Sequence, residues 1–409
     1  MHRPPAGSCL LLLVLLTGCQ PVGLGPTTSE RAGSPTPVRS SDPASMTPAG
    51  DISRDVPAFR GSSARTGVMP GPGPIGGAKL AWTAELGGPI RTATVTANGV
   101  AFASTATGTL AAFDLASGQL RWHASISTSS LSTPQVVGGL VVVGTATDGV
   151  RAVDAMTGKA SWSATADGAV GGAPADAQGV VVFGTDAGTV EAVDPTTGAQ
   201  RWTASAGDPV LSSIAIANQV VVVGTSGTTS GAVVAFDLAT GAQRWRTGVG
   251  SAGRVGTPAI DAGTVYAAIG LDGGSDAGHG VVALDLATGA IRWRYARPTG
   301  ATVYTPAVRD DAAYVAGEDR QVAKLDATTG AVAWSTAVGG VIEGNGVLAG
   351  GVVYATTNGG AAVALDGATG RQLWSVPIQG NPYGPTIAGG LLLVGTDLGT
   401  LYAIGGTLP

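Results

Sequence analysis

Eight tryptophans at near-constant spacing, seven copies of one Asp-headed turn and 66 glycines predict an all-β chain. The expected architecture is an eight-bladed β-propeller of four-stranded antiparallel blades, with the ring closed by the N-terminal strand. Trp82, Trp122, Trp162, Trp202, Trp245, Trp293, Trp334 and Trp374 follow one another at 40, 40, 40, 43, 48, 41 and 40 residues, and no tryptophan is left over. A period of about 40 residues, filled with alternating apolar runs and Gly turns, is the length of one blade. Only 12% of the chain is charged, which suits short strands and tight turns better than long solvated helices.

The elements follow in chain order. His2 and Arg3 precede CLLLLVLL (9–16), an apolar run short of the ~20 residues of a spanning helix and of signal-peptide length. It ends in Leu16-Thr17-Gly18-Cys19, which resembles the lipobox of bacterial lipoproteins. That resemblance implies a leader over 1–18, lipidation of Cys19 and an exported chain anchored on the extracytoplasmic side. Residues 19–54 are rich in Pro, Ser, Thr and Gly and read as a flexible tether. Residues 55–75, with Phe59, Arg60 and Arg65, read as a lead-in that packs on the domain, and 76–409 as the propeller. Within the lead-in, GPGPIG (71–76) matches G-x-G-x-x-G by letter only. Two prolines interrupt it, and it lacks the preceding strand and following helix that give those glycines a phosphate to bind.

The repeat unit is a meander. GGLVVVGTATDGVRAVDAMTGKASW (138–162) contains three strands, and the stretch after the Trp adds a fourth. The turns are headed by Asp114, Asp154, Asp194, Asp237, Asp285, Asp326 and Asp366. The last unit, GLLLVGTDLGTLYAIGG (390–406), stops where its Asp turn and Trp strand would come. AKLAWTAEL (78–86) has a Trp and no preceding Asp turn, so it is the strand expected to complete that blade.

In AFDLATGAQRW (235–245) each repeated residue has a local reason. The Asp carboxylate accepts backbone N–H groups further round the turn, and Thr adds a similar bond. Gly takes the left-handed conformation that restarts the strand. Trp supplies apolar area and an N–H that needs a partner. The pattern A-x-D-x-x-T-G-x-x-x-W resembles the repeat of PQQ-type β-propellers and their girdle of docked tryptophans. That fold is shared by quinoprotein dehydrogenases, by BamB-like lipoproteins of the outer-membrane β-barrel assembly machine, and by non-catalytic envelope domains, so fold alone does not select a function.

Chemistry should break the periodicity. Seven of the 27 acidic residues are the turn Asp, and Asp148, Asp186, Asp319 and Asp397 fall in the inner Gly turns. The two cysteines, Cys9 and Cys19, leave the mature domain without disulfide, redox pair or thiolate metal site. Its two histidines, His123 and His279, give no multi-His metal site and no nucleophile context. Quinoprotein dehydrogenases carry a calcium-and-quinone constellation and often a vicinal Cys pair, and neither is legible here. No metal and no cofactor is expected. GLDGGSDAGHG (270–280) offers Asp272, Asp276 and His279 to a cation, but without the spacing of a calcium loop it reads as a polar hairpin tip.

The loops entering the innermost strands are mostly small residues, as blade geometry requires. The departures are Arg91, Arg254, Tyr304, Glu343, Asn345, Asn381 and Tyr383. Large polar side chains there are optional for folding and are the candidate binding residues. A net charge of −5 with basic residues occurring singly excludes a nucleic-acid stripe. The leading expectation is a monomeric, non-catalytic envelope lipoprotein that docks protein partners on its rim loops. A sensor or binder of a small polar ligand at the channel mouth comes second, and a quinoprotein-type oxidoreductase third.

Overall fold

The structure, a computed structural model, describes residues 55–127, 129, 132–147, 149–227, 231–250, 253–270 and 278–409. The expected leader, Cys19 and tether, together with Asp148, Asp272 and Asp276, lie outside them. Blade one runs outward from the axis as Val95–Ala97, Val100–Ser104, Thr109–Asp114 and Leu120–Ser125, each antiparallel to the last. Six further four-stranded sheets repeat this order, and their short inner strands pack against one another around the ring. In the eighth, Pro382–Ala388, Leu391–Thr396 and Thr400–Thr407 take their outer strand from Gly76–Glu85, which places Trp82 opposite Ala403. The propeller is eight-bladed and closed by its N-terminal strand.

Packing explains the sequence pattern. Second strands such as Val220–Gly224 are buried throughout, because neighbouring blades cover both faces and near-continuous Val runs result. Outer strands such as Gln200–Ser205 alternate, burying Trp202 while Arg201 and Thr203 face solvent.

The repeated turn couples one blade to the next. Asp237 Oδ1 accepts the N–H groups of Ala239 (3.1 Å) and Thr240 (3.0 Å) and the Thr240 hydroxyl (2.9 Å). A bulge pairs Ala235 with Trp245 and Phe236 with Gln243, leaving Arg244 as the extra residue. Arg244 reaches back to Asp237 Oδ2 at 2.7 Å. The same Arg contact holds Asp194, Asp237 and Asp285 down at about 2, with turn N–H and hydroxyl donors adding to it. The Trp202 indole of the preceding blade donates to Leu238 O at 2.8 Å. Its ring lies over Gly241 (φ +73°), where a Cβ would come within 2.6 Å of Trp202. Asp, Gly and Trp are therefore one interblade joint.

The eighth blade has no Asp turn, and the lead-in replaces it. Trp374 donates to Pro74 O at 2.8 Å, and the Tyr354 hydroxyl bonds the same carbonyl at 3.2 Å. Upstream, the lead-in circles the axis and offers its carbonyls to the inner strands. Val56 O, Pro57 O, Ser63 O, Ala64 O, Thr66 O and Gly67 O accept the N–H groups of Thr96, Val136, Ile216, Ile260, Val308 and Leu348 at 2.7–2.8 Å. The Ser63 hydroxyl bonds Asp176 O at 2.7 Å. Axial N–H groups that would otherwise be orphaned are thereby paired. Arg60 and Arg65 hold left-handed backbone (φ 60° and 58°), a conformation that persists only where surroundings fix it. Both side chains are fully buried on the axis.

Candidate functional site

Because strands alternate in direction, each blade has two ends. The Asp turns and the hairpins nearest the lead-in lie at one end. The loops between blades and the second-to-third-strand hairpins lie at the other and form the channel mouth. Small hydroxyl residues stitch the mouth together. Ala93 N–H donates to Thr133 Oγ1 (3.2 Å), Ala173 N–H to Ser213 Oγ (3.0 Å) and Ser213 N–H to Thr257 Oγ1 (3.1 Å). The Ser132 hydroxyl bonds Gly172 O at 3.0 Å, and the Thr386 hydroxyl joins the eighth blade to the first through Thr94 O at 2.8 Å. The small residues of these loops form a hoop between blades.

Three of the seven candidate residues line one cavity of about 250 Å³: Arg254, Tyr304 and Asn345. Leu211, Ser212, Val255, Gly256, Thr257, Thr302 and Thr305 complete the lining. Arg254 Nε is buried with no hydrogen-bond partner among the described residues. The Tyr304 hydroxyl donates to Glu318 Oε1 at 3.1 Å. Burial first, then the Glu318 charge and that bond, push Tyr304 well above the usual phenol range, and Glu343 adds to this while Arg254 opposes it. Tyr383 is half-buried, and burial raises its hydroxyl. Arg91 pulls Tyr383 down, while Glu343 and Asp397 push it up, so the exposed Arg91 and Glu343 lie within electrostatic range of it. Asn381 is committed elsewhere. Its N–H and Nδ2 bond Asp397 Oδ1 and Oδ2 at 2.8 and 3.0 Å, closing a loop of the last blade.

Other groups at the mouth lie outside the seven candidate residues. Asp186 Oδ1 accepts Ala169 N–H at 2.8 Å, as a turn residue should. Asp319 stands one position further along its hairpin, where Glu318 is the counterpart of Asp186, and forms a two-pronged ion pair with Arg297, at 2.8 and 2.7 Å. The two side chains are 9% and 2% exposed. Arg297 and the Thr299 hydroxyl hold the Asp319 carboxyl below its ordinary range against the opposing effect of burial. This pair anchors the loop that carries Thr302 and Tyr304 into the cavity. His279 is buried near its base, where its carbonyl accepts Arg297 N–H at 2.9 Å.

The residues do not fit a calcium-bound quinone. Among the described residues no three His, Cys, Asp or Glu side chains converge, and the cavity presents guanidinium, hydroxyl and carboxamide groups.

A family model described as outer membrane protein assembly factor BamB matches residues 76–209, 167–232, 229–384 and 335–407, which together span the whole ring. The chain belongs to that family. An outer membrane protein assembly factor BamB from Burkholderia pseudomallei is 37% identical over 94 residues, 23% of this chain and 24% of that protein. The chain therefore spans about a quarter of the length of this curated relative. The crystal structure of BamB from Moraxella catarrhalis superposes with a TM-score of 0.65 at 18% identity, covering 80% of this chain and 99% of that one. Quinohemoprotein alcohol dehydrogenase from Comamonas testosteroni superposes with a TM-score of 0.67 at 16% identity, covering 90% and 82%. At such identities the likeness is one of fold, shared by the BamB family and by enzymes.

Proposed function

We propose that this chain is a non-catalytic envelope protein of the BamB family that docks a protein partner on the rim of its channel mouth. It would be tethered through a lipidated Cys19 on the extracytoplasmic side. One observation carries the reading. The repeat is kept where it builds joints, and three large polar departures in the loops entering the inner strands, Arg254, Tyr304 and Asn345, share one cavity. The matched family is described as an assembly factor, and among the described residues no three His, Cys, Asp or Glu side chains converge to hold a metal-bound quinone. A second reading, a binder of a small polar ligand, is favoured by the cavity itself, because its volume of about 250 Å³ is close to the low end of ligand-sized pockets.

The test is affinity purification of the full chain from solubilised envelopes of its host, wild type against a variant with Arg91, Arg254, Tyr304, Glu343 and Tyr383 all changed to Ala. A discrete partner should be retained by the wild type and lost by the variant, with the thermal unfolding midpoint unchanged. Equal retention by both proteins would overturn rim docking.

A further inference from the structure

The groups left free in the mouth cavity are mostly donors. Tyr304 has spent its hydroxyl proton on Glu318, Ser212 has spent its own on Gly224 O (2.9 Å), and Thr305 donates to Thr257 O at 2.7 Å. What remains is the Arg254 guanidinium, with its buried and unpartnered Nε, the Asn345 carboxamide and the hydroxyl protons of Thr257 and Thr302.

The floor beneath adds charge of the same sign. Arg60 bonds Pro306 O (2.6 Å) and Gly346 O (3.4 Å), the carbonyls next in the chain after Thr305 and Asn345. Arg65 bonds Ile214 O at 2.8 Å, and also the carbonyls of Ala173 and Pro174. These carbonyls belong to the segments that lead from the mouth into the inner strands. Neither arginine forms a salt bridge among the described residues, although the half-buried Asp176 carboxyl lies within electrostatic range of Arg65 and offsets part of this charge. Burial presses both to about 9, with repulsion from Arg65 adding to it at Arg60 and the Asp176 charge opposing it at Arg65, so both are charged at neutral pH. Charges buried at low dielectric act over longer distances than surface charges. Exposed Glu318 and Glu343 stand at the lip and repel an entering anion in proportion to its charge, which favours a single carboxylate over a polyanion.

We infer that the mouth cavity is a carboxylate-binding site, with Arg254 as the direct ligand and Asn345 and Thr257 as flanking donors. A planar guanidinium with free N–H groups matches a carboxylate through two parallel hydrogen bonds. The carboxylate comes either from a small free acid or from an acidic side chain of a docked polypeptide. This deepens the docking reading by naming the chemistry that the rim accepts, and it is testable without any partner.

The experiment is calorimetric or NMR titration of the full chain with glutaramate, a monocarboxylate, against neutral glutaramide. A second arm uses an acetylated and amidated Ala-Ala-Glu-Ala-Ala peptide against its Gln counterpart. Saturable binding of at least one acid, with its neutral counterpart at least ten-fold weaker, is expected. Arg254→Gln should weaken that binding ten-fold or more. Arg254→Lys should fall between, and Asn345→Ala should weaken it a few-fold with the fold intact. Lys159→Gln, the same charge change on an exposed turn at the far end, should match wild type. Binding of the free acid identifies a small-molecule source, and binding of the peptide alone identifies a polypeptide source. Either supports the site. Absence of binding by both acids, equal losses in Arg254→Gln and Lys159→Gln, or preferential binding of inorganic phosphate would overturn it. A chain that binds glutaramate yet captures no rim-dependent partner keeps this inference and sinks rim docking. A chain that captures a partner but binds neither acid does the reverse.

Discussion

At the scale of single residues, the molecule is held by a joint in which three side-chain types depend on one another across a blade boundary. Gly241 is needed twice. Its φ of +73° disfavours any Cβ, and the Trp202 ring occupies the space a Cβ would take, 2.6 Å away. Gly99 has nearly the same φ, +71°, with nothing within 4 Å. The two therefore separate backbone strain from packing. Gly99→Ala should cost about 1 kcal/mol, the usual cost of placing an L-residue in the left-handed region. Gly241→Ala should cost about 2–4 kcal/mol, because overpacking and backbone shift add to that strain. Urea unfolding of both variants measures the contrast, and equal midpoints would mean that the Trp202 contact contributes nothing. The sequence disclosed this joint well, since Asp, Gly and Trp recur seven times at one spacing. It did not disclose that the Trp serves the following blade's turn and not its own, because a one-dimensional period carries no information about which neighbour a side chain meets.

At the scale of elements, the mouth depends on a contact that the repeat hides. Asp319 sits one residue beyond the position at which Asp186 and Asp397 cap their turns, and it is buried against Arg297, in a loop that no periodic rule describes. Removing one member of a buried pair leaves the other charged and unpaired, so Arg297→Met should destabilise the protein by about 3 kcal/mol at pH 7. Arg297→Met combined with Asp319→Leu should recover most of that loss, since apolar replacement of both partners is often neutral. The pH dependence has a definite sign. Asp319 has a lowered folded-state pKa, so its contribution is complete above the ordinary carboxylate value and is lost as pH falls through the lower folded value. The gap between wild type and Arg297→Met should therefore narrow on acidification, as the stranded Asp319 of the variant takes up a proton first. Urea midpoints at pH 7 and near pH 4 test both statements. A double variant as unstable as the sum of the two singles would refute the pairing argument. The lead-in gives the same lesson about legibility. Phe59, Arg60 and Arg65 mark it as a packed segment, but an axial plug that pairs inner-strand N–H groups is visible only once the ring exists.

At the scale of the whole molecule, blade number and ring closure were legible because they are counting properties: eight Trp, seven Asp turns and one Trp strand left at the front. The mouth was only partly legible. Arg254, Tyr304 and Asn345 stand out as large polar departures and do share a cavity, whereas Asn381 departs equally and merely closes a loop on Asp397. Departure from a repeat marks where a constraint changes without saying what the new constraint is. Closure itself leads to a test of the complete fold. Residues 55–86 supply the axial plug, the carbonyl that Trp374 needs and the eighth blade's outer strand, so they act as one separable piece joined to the ring at Leu86. Pro409 lies beside this piece, since it and Pro72 both come within 4 Å of a Cβ placed on Gly350. A permuted chain of residues 87–409, a Gly/Ser linker of about 30 residues spanning roughly 30 Å to reach Asp55 beside Asn98 of the first blade, and then 55–86 should refold into the same ring. Its thermal midpoint should lie within about 5 °C of wild type, because every contact is kept and only connectivity changes. The shorter chain 87–409 should lose cooperative unfolding, since blade eight would lack its outer strand and seven inner strands would lack their axial partners. If 87–409 melted cooperatively at the wild-type midpoint, neither the plug nor the closing strand would be what holds the ring together.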